Sequence, residues 1–578
     1  MNTTDKAHLS KYVKYLKKYP VQLWISIALI PTITAITVLQ PYLIKVGIDH
    51  HIIKKDWPGL IPIALLFGAC VVIEFLSKAI QSYLFAYIGQ KSVSDIRRDL
   101  FSHILKLPSH YFDQTPLGII TARLTNDIET LNESIASGLV TLIGDLLTLI
   151  SIIVMMFLLS PKLTLITLCI IPILFIIVNH FRIVLRDAFN KSRTLIGKKT
   201  GYLQEQIQGI STIQLFQREY QNFQEYKAMN KAYKESVVKA VTYDALLYSI
   251  IEALSSIVIA GLIWVACGSP QTSIISLGLL IAFIEYIRKF FTPLKELSTK
   301  FVTLQHALAA LEKIFNTFSI EPEKETGTQT LNSPKGHIQV KNIHFSYPGE
   351  DRKPVLNGVS FELTPGSVVA IVGSSGSGKT TLSKLLLRLY TPTSGSITLD
   401  GTQIQNLTLK NLRDQFSTVT QEIYLLPETI AFNIGFNQPG ITLDDIQTAA
   451  KAVGVHDLIQ KLPNGYNTWI NTSNHQLSKG EAQLITLARV LCAKAPIVLM
   501  DEATASVDTI WEKKIEKAVQ TILQKKSVLV IAHRLSTIQK VGTILAMRDG
   551  QIIETGTHEQ LMDQKGFYYA LFNMQFKS

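Results

Sequence analysis

The sequence carries six apolar runs, near residues 21–43, 59–82, 137–159, 163–181, 245–268 and 274–297, each long enough to cross a hydrocarbon layer as a helix. A bilayer core of about 30 Å takes roughly 20 helical residues, and it tolerates no unpaired backbone polar group, so these runs predict membrane helices packed on one another. Pro31, Pro41, Pro172 and Pro293 interrupt or border the runs, which is acceptable where neighbours satisfy the freed carbonyls. A chain of 578 residues is also too long for one compact core. With 47% hydrophobic and 17% charged residues, it reads as a soluble domain joined to a much more apolar one.

The distribution of charge orients the membrane part. The formal net charge of +12 is not read as a nucleic-acid surface, because membrane proteins gather Lys and Arg on cytoplasmic loops. Lys6, Lys11, Lys14, Lys17 and Lys18 fall on a short amphipathic stretch before the first run, placed to meet anionic headgroups. Runs 2–3 and 4–5 are separated by long polar stretches with apolar residues at helical spacing and many basic ones, predicting helices that extend out of the membrane into the cytoplasm. Both termini are therefore expected in the cytoplasm, with Lys45, Lys54 and Lys55 of the first outer loop a mild counterweight. No cleavable signal peptide is apparent, so the first run is expected to stay in the membrane. Cys70, Cys169, Cys267 and Cys492 have neither metal-site nor disulfide-framework spacing.

The composition changes near residue 311. The expected organisation is a membrane domain over 1–310, a linker over 311–336 containing EPEKETGTQTLNSPKG, and a domain over 337–578. In the last, HIQVKNIHFSYPG, SVVAIVG, IVLMD and SVLVIAH are short β-rich runs among helical segments, predicting an α/β nucleotide-binding domain.

Its chemistry is carried by GSSGSGKTT, which fits the phosphate-loop pattern G-x-x-x-x-G-K-[ST]. A strand leads into the loop and an apolar-periodic helix leaves it, as phosphate binding at a helix N-terminus requires. Gly373, Ser374, Ser375, Gly376, Ser377, Gly378, Lys379, Thr380 and Thr381 are the candidate ATP cradle. Lys379 is expected to reach the β/γ-phosphates and Thr380 to ligate Mg²⁺. In IVLMD four apolar residues deliver Asp501, a second Mg²⁺ candidate, and the adjacent Glu502 is suited to polarise the attacking water.

These motifs, in this order, resemble the ATP-binding cassette (ABC) exporter family, with one six-span all-α membrane domain fused to one α/β nucleotide-binding domain. The resemblance covers nearly the whole chain and implies a half-transporter working as a dimer. It further implies that Tyr347 in FSYPG stacks on adenine. Gln421 in VTQE would sense the γ-phosphate, join the Mg²⁺ ligands and touch the membrane domain. His533 would contact the γ-phosphate, and Asp508 would end a loop that crosses to the partner. LSKGEAQLITLARVL resembles the family's LSGGQ signature, which faces ATP held by the other subunit. Ser478 and Gly480 match it, whereas Lys479 and Glu481 depart, and an anion at 481 near phosphate is disfavoured by Coulomb repulsion. NTSN at Asn471 to Asn474 replaces a GERG-like segment.

With its own loop well formed and its signature altered, the chain is read slightly in favour of pairing with a different half-transporter, with a homodimer carrying LSKGE at both composite sites as the alternative. The segments Leu107 to Leu131 and Leu203 to Glu219 resemble the family's two cytoplasmic loops and should each end in a short coupling helix. Glu74, Asp145, Glu252, Glu285 and Arg288 lie in or near the runs, where charges face a polar cavity or a partner. Asp145 and Glu252 either line a path for a cationic or zwitterionic amphiphile or pair with a neighbouring helix. The expected activity is ATP-driven export of an amphipathic drug or lipid across the cytoplasmic membrane, in a bacterial setting. An importer on the same fold and a nucleotide-sensing partner are the alternatives.

Overall fold

The structure is a computed structural model; it describes residues 3–134, 140–268, 276–348, 353–470, 477–501, 509–531 and 541–576. The chain divides into two compact units, one of residues 1–106 and 115–321, the other of residues 107–114 and 322–578.

The first unit is helical throughout the described residues: α1 (Thr3–Leu16), α2 (Pro20–Val46), α3 (Trp57–Ile104), α4 (Ser109–Gln114, which packs with the second unit), α5 (Leu117–Ala122), α6 (Ile128–Ser134), α7 (Val140–Leu159), α8 (Pro161–Leu168), α9 (Ile171–Gln208), α10 (Ile210–Leu215), α11 (Glu219–Gly268) and α12 (Leu277–Phe318). Side-chain caps open α3 and α12: Asp56 accepts from the Gly59 N–H at 3.1 Å ahead of Pro58, and the Ser276 hydroxyl accepts from the Leu279 N–H at 3.1 Å. The 48 residues of α3 span about 72 Å, more than twice the hydrocarbon thickness, so α3 extends well beyond the membrane.

Among the described residues, five helices or helix runs are long and apolar enough to cross a membrane: Pro20–Ile52, Trp57–Ile104, Thr141–Leu159, Pro161–Gln208 and Glu219–Ala266. The sixth expected run lies on α12, where Glu285, Arg288 and Lys289 interrupt the apolar stretch and make it the most polar of the set. The fourth run is broken at Cys169–Ile170, just before Pro172, between α8 and α9. α12 continues to Phe318, because Leu311, Ile314 and Phe315 repeat at helical spacing and are buried. The stretch expected as linker from 311 thus begins inside a helix. Its later part is pinned to the second unit by Glu323 with Arg413 (2.5 Å) and by Thr326 with Arg388 (3.2 Å).

The core of the first unit is built from α7, α11 and α12 around Ile152, Met156, Ile251, Phe283, Tyr286 and Ile287. Several polar side chains of the unit are paired across helices. Pro41 has no N–H, which leaves the carbonyl four residues earlier, on Thr37, without its helical donor. Lys289 Nζ donates to that oxygen at 2.9 Å and to Gln40 Oε1 at 2.8 Å, while the Tyr286 hydroxyl donates to Val38 O at 2.6 Å. Asp145 pairs with Lys300 at 2.6 Å, and Glu252 pairs with Lys295. α1 folds onto this unit through the buried Tyr12, the His8 ring stacked on Phe315 and a Tyr15 hydroxyl that donates to Asp99.

The second unit holds two sheets. A four-stranded antiparallel sheet has the order β2 (Leu356–Leu363), β1 (Ile338–Phe345), β4 (Ser394–Leu399), β5 (Thr402–Gln403). A six-stranded sheet has the order β10 (Gln551–Gly556), β9 (Thr543–Arg548), β3 (Val368–Gly373), β8 (Ser527–Ile531), β7 (Ile497–Asp501), β6 (Phe416–Val419). Every pairing from β9 to β6 is parallel. Alternation along the strands explains why they are apolar throughout: Ala370, Val372, Val498 and Met500 enter one core, and Val369, Ile371, Ile497 and Leu499 enter the core on the other face. Parallel strands buried on both faces place their carboxyl ends along one edge, where ligands bind in open α/β sheets.

Candidate functional site

The phosphate loop leaves that edge from β3 and enters α13 (Lys379–Leu386). Its backbone needs glycine at two points, since Gly376 has φ +82° and Gly378 φ +101°. Gly373 is fixed by proximity instead: a Cβ there would lie 2.3 Å from Met547 O on β9 and 2.8 Å from Ser377 Oγ. Lys379, only 6% exposed, turns its amine back into the loop and donates to Gly373 O at 2.9 Å and Ser374 O at 2.8 Å. The Ser377 hydroxyl is buried without a hydrogen-bond partner. Ser374, Ser375, Gly376 and Thr380 are exposed, so the loop is a small-residue concavity with a buried cation at its root. This is the chemistry of a polyphosphate cradle.

β7 brings Asp501 to the same edge, level with Ile531 of β8, after four fully buried residues. Gln421 is exposed two residues past β6, the strand beside β7. Tyr347 does not lie flat on the surface. Its ring meets Phe345 and Tyr390 edge-on, with centroids 5.0 and 5.1 Å apart, and its hydroxyl is 3.0 Å from Thr381 Oγ1. Thr381 thus faces the tyrosine, leaving Thr380 as the exposed hydroxyl of α13. Glu502, Asp508, His533 and the NTSN segment lie outside the described residues.

The signature stretch opens helix α14 (Lys479–Cys492). Ser478 is its N-cap, and Glu481 closes a capping box: the Glu481 carboxylate accepts from Ser478 N–H at 2.8 Å, and Ser478 Oγ accepts from Glu481 N–H at 3.3 Å. The charge at 481 is therefore turned back onto its own helix N-terminus, where an anion is favourable, and the expected repulsion has a local counterpart. Gly480 is set by close packing, for a Cβ there would come within 2.6 Å of the Trp511 ring, over which Lys514 Nζ sits at 4.6 Å. At the other end Lys526 Nζ donates to the carbonyls of Val490, Ala493 and Ala495, and burial pulls its amine down to about 8.

The cap sets up a first expected result. Glu481→Ala should destabilise the start of α14 by about 1 kcal/mol, while Glu481→Gln, which keeps an acceptor at the same place, should cost less than half of that. Thermal unfolding of the two purified variants checks it, and equal losses would show that the charge rather than the cap matters.

Trp511, Lys514, Lys526, Arg489 and Asp113 have positions in or around this site that sequence motifs did not single out. Arg489 is half-buried and its Nε donates to Asn433 O at 2.7 Å, behind the signature helix. S-x-x-E at Ser478–Glu481 was a readable capping signal, whereas the tertiary partners of the others leave no local pattern.

The fold and the site define a membrane-embedded, nucleotide-driven transporter. The sequence matches the ABC transporter transmembrane region over residues 23–294 and the ABC transporter ATP-binding domain over residues 356–505. It is 33% identical over 558 residues to YfiC of Bacillus subtilis, an uncharacterised ABC transporter ATP-binding protein, covering 96% of this chain and 92% of that one. It is 32% identical over 579 residues to the ATP-dependent lipid A-core flippase of Thiobacillus denitrificans, with all of both chains covered. Among solved structures, a bacterial Atm1-family ABC exporter with ATP bound superposes with a TM-score of 0.79 at 26% identity, over 96% of this chain and 98% of that one. The chain belongs to the ABC transporter family, with membrane region and ATP-binding domain on one polypeptide in the exporter arrangement. Its activity is ATP hydrolysis coupled to transport.

Proposed function

We propose that this chain is one half of an exporter that moves an amphipathic lipid or drug out of the inner leaflet of a bacterial cytoplasmic membrane, with both termini and the nucleotide-binding unit in the cytoplasm. The observation that carries the reading is the cradle around Lys379, a buried amine beneath exposed small loop residues at the edge of a parallel sheet. In it Lys379 would hold the β/γ-phosphates and Tyr347 would present its ring to the base. Glu502 would orient the water for in-line attack, with Gln421 and His533 at the γ-phosphate. Thr380, Asp501 and Gln421 offer hydroxyl, carboxylate and amide oxygens, a hard donor set that fits Mg²⁺. When bound, the ion would neutralise charge developing on the phosphates.

A second half-transporter is part of this reading, whether another copy or, as the altered signature favours, a different chain. Ser478, Gly480 and Asp508 would face that partner's ATP. Leu215 and Phe216, at the end of the short helix α10 between α9 and α11, are 80% and 74% exposed and suit a partner's surface.

The amphipathic substrate is supported by a cleft of about 380 Å³ within the first unit, where Ile30, Ile33 and Phe85 stand beside Glu74, Lys78, Asp145, Lys289 and Lys300. Its lining carries three lysines against two carboxylates, with Asp145 paired to Lys300 and Glu74 to Lys78, a balance that favours a zwitterionic or anionic head over a cation. The test is transport into inverted membrane vesicles. An exporter accumulates a labelled phospholipid or amphiphilic dye inside them only with ATP, and loses this with Glu502→Gln. Accumulation only in right-side-out vesicles would replace the reading with an importer, and unchanged hydrolysis in Glu502→Gln would replace it with a nucleotide sensor. Tagging the chain and identifying what copurifies decides between self-pairing and a second chain.

A further inference from the structure

Residues 107–114 stand apart from the chain on either side of them: Lys106 and Thr115 belong to the first unit, but this segment packs with the second. It contains the short helix α4, and one oxygen atom on it accepts two hydrogen bonds. Asp113 Oδ2 accepts from the Tyr390 hydroxyl at 2.6 Å and from Lys384 Nζ at 3.0 Å. The Tyr390 hydroxyl bond, followed by the Lys384 amine, holds the Asp113 carboxyl below the usual carboxylate range. Burial and the same bond push the Tyr390 phenol up, so the hydroxyl stays a donor across the physiological range.

Both donors lead back to the tyrosine that the reading above assigns to the base. The Tyr390 ring meets Tyr347 edge-on, at 87° and 5.1 Å between centroids. Lys384 Nζ lies 5.9 Å from the centre of the Tyr347 ring and 5.7 Å from that of Tyr390. Lys384 also lies one turn beyond Thr380 on α13, and the Tyr347 hydroxyl touches Thr381 on the same helix. Gln114 Nε2 adds a contact to the carbonyl of Pro348, the residue after Tyr347, at 3.4 Å. The segment therefore holds the tyrosine from two directions: by its neighbouring ring and cation, and by its own backbone.

We propose that Asp113 is a positioning residue for the base of the nucleotide, setting the Tyr347 ring through Tyr390 and Lys384. The inference rests on the proposed contact of Tyr347 with the base and names the group that orients it. The clasp makes the stance of Tyr347 depend on a segment continuous in sequence with the helical unit on both sides. A two-state change that displaces this segment thereby alters affinity for the base, and by linkage nucleotide binding biases the segment's position. Phosphate affinity, which resides in the loop around Lys379, is left out of this coupling.

The experiment compares nucleotide with a base-free competitor on the purified, reconstituted full chain. Asp113→Asn keeps the shape but loses the ion pair with Lys384. It should raise the KM for ATP and the Ki for ADP together by about five-fold, the scale of one mis-set aromatic contact. kcat should stay within about two-fold, and the Ki of inorganic tripolyphosphate should not move. Tyr390→Phe should give the same pattern and add little when combined with Asp113→Asn, while Asp113→Glu should recover part of the loss. An unchanged KM in both Asp113→Asn and Tyr390→Phe overturns the proposal, as does a tripolyphosphate Ki that rises in step with that of ADP. Tyr347→Ala separates the two levels: if it leaves the KM for ATP unchanged, the assignment of Tyr347 itself falls. If it raises the KM while the Asp113 and Tyr390 variants do not, only the clasp is lost.

Discussion

Replacing Lys379 with methionine is expected to lower ATP turnover by about 10²- to 10³-fold while leaving the protein folded. The two effects separate because the amine has two kinds of neighbour. Its structural bonds go to the carbonyls of Gly373 and Ser374, at the start of a loop whose outer residues are exposed, so water can replace the lost donor at small cost. Its charge lies at the root of the cradle, where no other side chain of the loop is cationic. Loss of one preorganised stabiliser of a transferring phosphoryl group is worth about 3–4 kcal/mol, which gives the stated factor. Arginine should not rescue, because the slot is almost fully enclosed and a planar guanidinium is larger than an ammonium. Phosphate release from the reconstituted protein measures this, and a fall of less than ten-fold would remove Lys379 from the chemistry.

Gly373→Ala is expected to damage the site by a different route. β3 and β9 are parallel neighbours with Gly373 opposite Met547, and the added methyl would meet the Met547 carbonyl oxygen at 2.3 Å. Backbone on both sides leaves no flexible side chain to give way, so either the strands part or the loop lifts. Overpacking of this kind costs about 3 kcal/mol, and a lifted loop would lose nucleotide affinity by about 100-fold. The wild type should gain thermal stability from ATP by mass action, and the variant should not. An alanine variant that keeps the full ATP-induced shift would show that β9 yields, and that the cradle does not depend on the approach of these two strands.

Much of this molecule was legible because the decisive signals are local. A run of apolar residues, a glycine-rich loop between strand and helix, and four buried residues ending at Asp501 each fit within a short window. The membrane architecture and the α/β domain follow from them. What escaped is set by partners far along the chain. Lys300 finds Asp145 across 155 residues, and Tyr390 finds Asp113 across 277. Neither pairing has a periodic trace, so pairing with a neighbouring helix was readable for Asp145 and Glu252 as one of two alternatives, but the partner lysines were not. Glu481 is an intermediate case. Its sequence spacing from Ser478 is that of a capping box, yet a charge argument that placed it facing outward missed the N–H groups within its reach. The end of α12 was hidden by composition: the linker's polarity begins only after Phe318, although the start of the change was set at 311.

The proline in α2 has a consequence for how the membrane unit deforms. A proline normally marks the place where a helix bends most easily, since a hydrogen bond is missing there and nothing resists opening. At Pro41 the missing donor is supplied from α12 by Lys289, one turn from a second tie made by Tyr286. Bending α2 at this point would strip a carbonyl of its partner in a medium without water, so the soft joint is splinted. The two helices are thereby constrained to travel as one rigid pair at this level, and any rearrangement of the unit must find its compliance elsewhere.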